Sequence, residues 1–179
     1  MMRALLAALL LTCILPAVAA AQPGEAPAET REAMARLSFL VGSWAGDAWM
    51  QTGPGPRADI TQTEAVTAHL DGLVLVVAGE GRLKSNPETI VHQAFATIAW
   101  DANAKHYRVQ AVRKDGNSVD AVGEFTEDGT FQWGFDMRGG KVRYTIQHTD
   151  DDGWLETGEF SANGTDWQQF LEMRLTRVK

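Results

Sequence analysis

Cysteine is almost missing from this chain. Cys13 is the only one in 179 residues, and it lies in the apolar N-terminal segment. Everything after it is free of thiols, which excludes disulfides, thiolate catalysis and cysteine-bound metal. Stability must therefore come from buried side chains alone. Basic residues are also scarce, with 16 Lys+Arg against 23 Asp+Glu and a net charge of −7. No polybasic run occurs, so neither a nucleic acid nor a charged membrane surface is an expected partner. Long apolar runs are lacking too. The one candidate, Ala4 to Val18, falls short of the ~20 residues that span a bilayer and is interrupted by Pro16. Helix-length periodicity is absent after Gly42, which rules out the crossovers a parallel sheet needs.

The N-terminus has the three-part pattern of an export signal. Arg3 gives a positive start, the apolar run follows, and Ala19-Ala20-Ala21 offers the small residues a signal peptidase accepts. Cleavage is expected after Ala21, delivering the protein to the periplasm or the medium. The competing readings are a membrane anchor and acylation at Cys13, although Thr12 stands where a smaller residue is usual. Residues 1–21 hold one basic residue and no acid, so the chain beyond them carries 15 basic and 23 acidic side chains, net −8. Those 158 residues suffice for one domain, expected over 29–179 after a flexible leader at 22–28.

A helix is predicted from Glu29 to Leu40, with Thr30 as cap and Met34, Leu37 and Leu40 on one face. From Ser43 the pattern has period two, the mark of half-buried strands. Turn signals recur at intervals of about ten residues, among them Gly53-Pro54-Gly55-Pro56, Asp71-Gly72, Ser85-Asn86-Pro87, Asp128-Gly129 and Asp152-Gly153. Between them lie about ten runs of strand length. Short links between successive strands predict an all-β, antiparallel up-and-down barrel of about ten strands, since closure removes exposed edges. A two-sheet sandwich fits the same alternation.

The segment Leu40-Val41-Gly42-Ser43-Trp44-Ala45-Gly46 resembles the opening of lipocalin-like domains of the calycin superfamily, with the pattern L-x-G-x-W-x-G at the first strand. It is distantly similar to the nitrobindins, whose opening is G-x-W-x-G-x-G. The resemblance implies a barrel in which Gly42 and Trp44 close one end, with a last-strand arginine, Arg174 or Arg177, over the tryptophan. Arg174 is the one assigned to this closure. The nitrobindin likeness implies haem, but Ala48 replaces the third glycine and residues 166–179 hold no histidine. No cofactor or metal is expected.

Few residues carry chemistry. His69, His92, His106 and His148 show no metal-ligand spacing, and His148 alone continues the phase of Val142, Tyr144 and Ile146. The serine in Gly42-Ser43-Trp44-Ala45-Gly46 stands one position too early for a nucleophile elbow. Asp150-Asp151-Asp152-Gly153 is an acidic turn without the alternating ligands of a calcium loop. Glu64 and Glu156 fall in phase with apolar neighbours, yet at least one is expected to face outward because an unpaired buried charge is costly. No catalytic pair is assigned. The strongest feature is aromatic: Phe131, Trp133 and Phe135 share a face, with Tyr144 on the next strand. A ten-stranded barrel is wider than side chains readily fill. The expected function is therefore binding of a small apolar molecule by Phe95, Phe131, Trp133, Phe135, Tyr144 and His148. A filled barrel serving in structure or interaction is the alternative, and a haem protein or an unrecognised enzyme ranks below both.

Overall fold

The computed structural model describes residues 24–179. The expected signal segment and the start of the leader lie outside the described residues. A helix, α1 (Ala28–Ala35), and a 3-10 turn (Ser38–Leu40) precede ten strands. These are β1 (Gly42–Met50), β2 (Ala58–His69), β3 (Val74–Leu83), β4 (Asn86–Asp101) and β5 (His106–Arg113), then β6 (Ser118–Phe125), β7 (Phe131–Met137), β8 (Gly140–His148), β9 (Trp154–Ser161) and β10 (Gln168–Arg177). Each strand pairs antiparallel with its successor, and β10 returns to β1, closing the barrel with Trp44 opposite Arg177. The sandwich is thereby excluded, because every strand edge is paired. Among the described residues no helix is long and apolar enough to cross a membrane.

Alternation determines what the barrel encloses. On β2, Ile60, Gln62, Glu64 and Val66 are buried while the residues between them are exposed. Trp44 and Ala48 are buried on β1, and Trp154, Glu156 and Gly158 on β9, with less buried residues between them. One end of the barrel is closed. Leu37 and Leu40 are fully buried there beside Met34, and the Tyr107 hydroxyl donates to the Ala33 carbonyl at 2.6 Å. Lys105 in the β4–β5 turn pairs with Glu29 at 2.5 Å, tying α1 down from outside.

The predicted helix is shorter than expected. It ends at Ala35, starts on Pro27 without a side-chain cap, and so leaves Thr30 inside its first turn. Tertiary burial overrides the local pattern: tightening at residues 38–40 turns both Leu37 and Leu40 into the barrel. The predicted turn at Ser85-Asn86-Pro87 is also displaced. Asn86 and Pro87 already belong to β4, opposite a register irregularity at the end of β3.

Candidate functional site

The closed end is built around Trp44. Its indole donates to the Leu40 carbonyl at 2.7 Å and meets Trp154 edge to face at 5.8 Å. The guanidinium above it belongs to Arg177, 4.2 Å from the ring centroid. Arg177 also donates to the carbonyls of Val41 (2.6 Å) and Phe39 (3.0 Å) and to Asp152 (3.0 Å). Gly42 makes this approach possible: its φ is +141°, and a Cβ there would stand 2.5 Å from Arg177 Nη1. The assignment of Arg174 is thus corrected. That residue is exposed on the outer face and pairs with Glu172 at 3.0 Å, because Met173 and Leu175 are buried in the barrel and position 174 has the opposite phase.

Above this floor lies a cavity of about 1090 Å³ that reaches the opposite rim, where Gln51–Pro54, Asn117 and Gln168 border it. It exists because one wall is thin. Gly79 of β3, Ala94 and Ala96 of β4, and Ala111 of β5 line it, and Ala96 stands directly opposite Ala111. The facing wall is thick and aromatic. Tyr144 of β8 stacks on Trp133 of β7 with centroids 4.3 Å apart, Phe135 continues the same face, and Phe170 meets Tyr144 edge-on at 5.8 Å.

Trp133, Phe135 and Tyr144 therefore lie on the cavity wall, and the other three residues predicted as ligand-binding do not. Phe131 is fully buried, but it packs at the closed end against Tyr107 (5.2 Å) and Phe125 (5.3 Å). Phe95 is 52% exposed on the outer surface, since the small residues Ala94 and Ala96 take the inward positions of β4. His148 keeps its phase but comes at the very end of β8. Its ring stacks on Phe39 at 5.0 Å, and Nε2 lies 2.9 Å from Asp152 Oδ1, outside the lumen.

Two acids occupy the deep part of the cavity, and both face inward, contrary to expectation. Glu64 is 8% exposed and Glu156 7%. Glu64 stands opposite Trp44 on one side and Gly79 on the other, while Glu156 follows Trp154 by one inward step. Gly79 gives Glu64 its room, since a Cβ there would lie 2.5 Å from its Oε1. Each acid accepts one hydrogen bond, Glu64 from Gln62 Nε2 (2.7 Å) and Glu156 from Trp154 Nε1 (3.1 Å). Neither forms an ion pair among the described residues, so burial dominates their chemistry. It pushes the Glu64 carboxyl up to about 7 against the opposing Gln62 hydrogen bond. It pushes Glu156 up to about 8, with further upward pressure from the Glu64 charge.

Tyr144 completes the group. Its phenol makes no protein hydrogen bond among the described residues, and burial together with the Glu156 charge raises it to about 12. His92 and Arg113 are the basic residues lining the cavity. Burial lowers the His92 pKa, and Arg113 is engaged by Asp115. No group of three or more metal-ligating side chains occurs among the described residues. Gln62, His92, Arg113 and the thin alanine wall were not foreseen from sequence. Gln62 had a usable signal, because it shares its phase with Ile60 and Glu64.

No protein-family model matches the chain, and a search of curated proteins yields no match. Solved structures do match. The chain is similar to Rv2717c from M. tuberculosis, with a TM-score of 0.65 at 16% identity, covering 82% of this chain and 98% of that one. It is also similar to the S-type phycobiliprotein lyase CPES from Guillardia theta, with a TM-score of 0.58 at 11% identity, covering 83% and 92%. At these identities the likeness is one of fold, and it agrees with a lipocalin-like barrel.

Proposed function

We propose that this protein is an exported carrier or receptor that holds a small, largely apolar molecule inside its barrel. The observation that carries this reading is the cavity of about 1090 Å³, at the upper end of the range of small-molecule sites. Its make-up supports it as well. Val77, Ile98, Val109 and Val142 give apolar surface, Trp133 and Tyr144 give a flat face, and a few polar groups are confined to definite points. A barrel filled for stability alone would have large side chains where Ala94, Ala96 and Ala111 stand. The export pattern of residues 1–21 supports a site of action in the periplasm or the medium.

The test is binding of the neutral fluorescent probe N-phenyl-1-naphthylamine to the full chain. Enhanced probe emission, with quenching of tryptophan fluorescence, is expected at micromolar concentrations. The Ala96→Trp and Ala111→Trp variants place an indole in the lumen from the thin wall and are expected to weaken binding at least tenfold. Absence of probe binding, or unchanged binding in both variants, refutes the reading.

A further inference from the structure

We propose that the molecule this lumen is built for carries a protonated amine at its leading end, seated between Glu64 and Glu156 beneath an apolar body. The proposal rests on the binding role above and names the chemical class that the same cavity takes. Two carboxyls share the blind end of the cavity, and each has one oxygen without a hydrogen bond among the described residues: Oε2 of Glu64 and Oε1 of Glu156. An independent group points to the same place. The Tyr144 phenol lies half-buried on the cavity wall and makes no hydrogen bond among the described residues, and its oxygen can accept a further N–H.

The surroundings distinguish between possible head groups. A carboxylate or phosphate would meet two acids that have no ion-pair partner of their own among the described residues: the cavity's arginine, Arg113, is already paired with Asp115, and burial favours the neutral form of His92. A hydroxyl can donate to the free oxygens but brings no charge that would favour the carboxylate form. An ammonium supplies both the donors and the positive charge, and charged hydrogen bonds of this kind are about twice as strong as neutral ones. The Trp133–Tyr144 stack, 4.3 Å between centroids, and the Trp154 indole offer aromatic faces of the kind cations favour. Without ligand, burial favours the protonated form of both acids. When the amine enters as a cation, a carboxyl proton leaves to solvent and the carboxylate–ammonium pair forms, so charge is balanced inside the barrel.

The experiment compares dodecylamine, dodecanol and dodecanoate, each displacing N-phenyl-1-naphthylamine from the full-length protein. The amine is expected to bind at least tenfold more tightly than the alcohol, and the carboxylate more weakly than either. Amine affinity is expected to rise several-fold between about pH 6 and pH 8.5 as the acids ionise, while the ligand stays protonated and dodecanol binding stays flat. In E64Q/E156Q the amine preference and its pH slope are expected to vanish, with the fold checked by near-UV circular dichroism. Should that variant fail to fold, the amine-to-alcohol ratio and its pH slope in the unaltered protein decide alone. Equal binding of amine and alcohol overturns the proposal and leaves the apolar binder standing. Failure of every compound, the probe included, overturns both.

Discussion

Replacing Glu156 by glutamine removes an ionisable group from the barrel floor without removing its shape. The glutamine carbonyl can still accept the Trp154 indole N–H, now 3.1 Å from Glu156 Oε2. What changes is the dependence of stability on pH. The folded protein holds the Glu156 proton up to about pH 8, whereas an ordinary glutamate releases it near 4.5. Between those values the folded state binds more protons than the unfolded one, so stability falls as pH rises through the window. The stabilising proton is fully in place below about 4.5 and lost above about 8. Each tenfold in proton affinity is about 1.4 kcal/mol, so the full displacement corresponds to on the order of 5 kcal/mol as an upper bound. Glu64, pushed up to about 7, contributes in the same direction, but the two share their mutual repulsion and do not simply add.

The variant is therefore expected to match the parent near pH 5 and to exceed it by roughly 2–4 kcal/mol near pH 9. In a domain of this size that is a rise in Tm of about 5–10 °C. Urea unfolding followed by tryptophan fluorescence at a series of pH values measures it directly. A difference that does not change with pH, or a variant that loses stability relative to the parent as pH rises, would refute the picture of two buried acids without a cation partner.

Other perturbations address the closed end and the walls. Arg177→Met removes the cation over Trp44 and the bonds to Val41, Phe39 and Asp152, and is expected to destabilise by roughly 1–3 kcal/mol. Arg174→Met, at an exposed pair, should change unfolding by less than about 0.5 kcal/mol, and equal effects of the two would contradict the assignment. Asp152 is held down at about 2, first by the Arg177 hydrogen bond and then by His148. Its contribution is present above its ordinary 3.8 and lost as pH falls toward 2, so Arg177→Met should flatten the acid limb of the unfolding profile there. Gly79→Ala places a methyl against the Glu64 carboxylate and should lower amine affinity more than dodecanol affinity, read by the same displacement assay. Phe95→Ser, on the outer face, should leave probe affinity unchanged.

Period two carried the fold because a strand with one buried face has to alternate. Phe131, Trp133 and Phe135 on β7, and Val142, Tyr144 and Ile146 on β8, alternate without ambiguity. What alternation does not encode is height along the barrel axis. Phe131 and His148 share the phase of lumen residues but stand at the closed end, one packed against Tyr107 and the other stacked on Phe39. Nor does alternation say which phase is inward where both carry apolar residues. On β4, Val91 and Phe95 compete with Ala94, Ala96 and Ile98, and the smaller set faces in. A lumen is made where inward side chains are small, so ranking positions by apolar bulk selects the wrong face there. The last-strand arginine was legible, since Arg177 continues the phase of Met173 and Leu175 and Arg174 does not. Glu64 and Glu156 were misjudged for a physical reason: the rule that buried charges are paired assumes a charge, and burial shifts these acids toward their neutral form.

That last point bears on why the acids are there at all. Nothing in the closure of the barrel needs them. The floor is held by Trp44, Trp154 and Arg177, and leucine or methionine at 64 and 156 would bury more apolar surface without any desolvation cost. Instead the sequence opposes Gly79 to Glu64, giving up a side chain to make room for a carboxyl, and places Gln62 and Trp154 to hold one oxygen of each acid. Such a destabilising arrangement, oriented by specific donors and left open toward a cavity, is what a preorganised recognition point requires. The geometry also gives a direction of entry. With α1 and the 3-10 turn fastened over one end, a guest must come past the hairpin rim near Gln51–Pro54 and Gln168 and reach the acids last. Its apolar body then lies along the Trp133–Phe135 wall, and the part that meets Glu64 and Glu156 is its leading end.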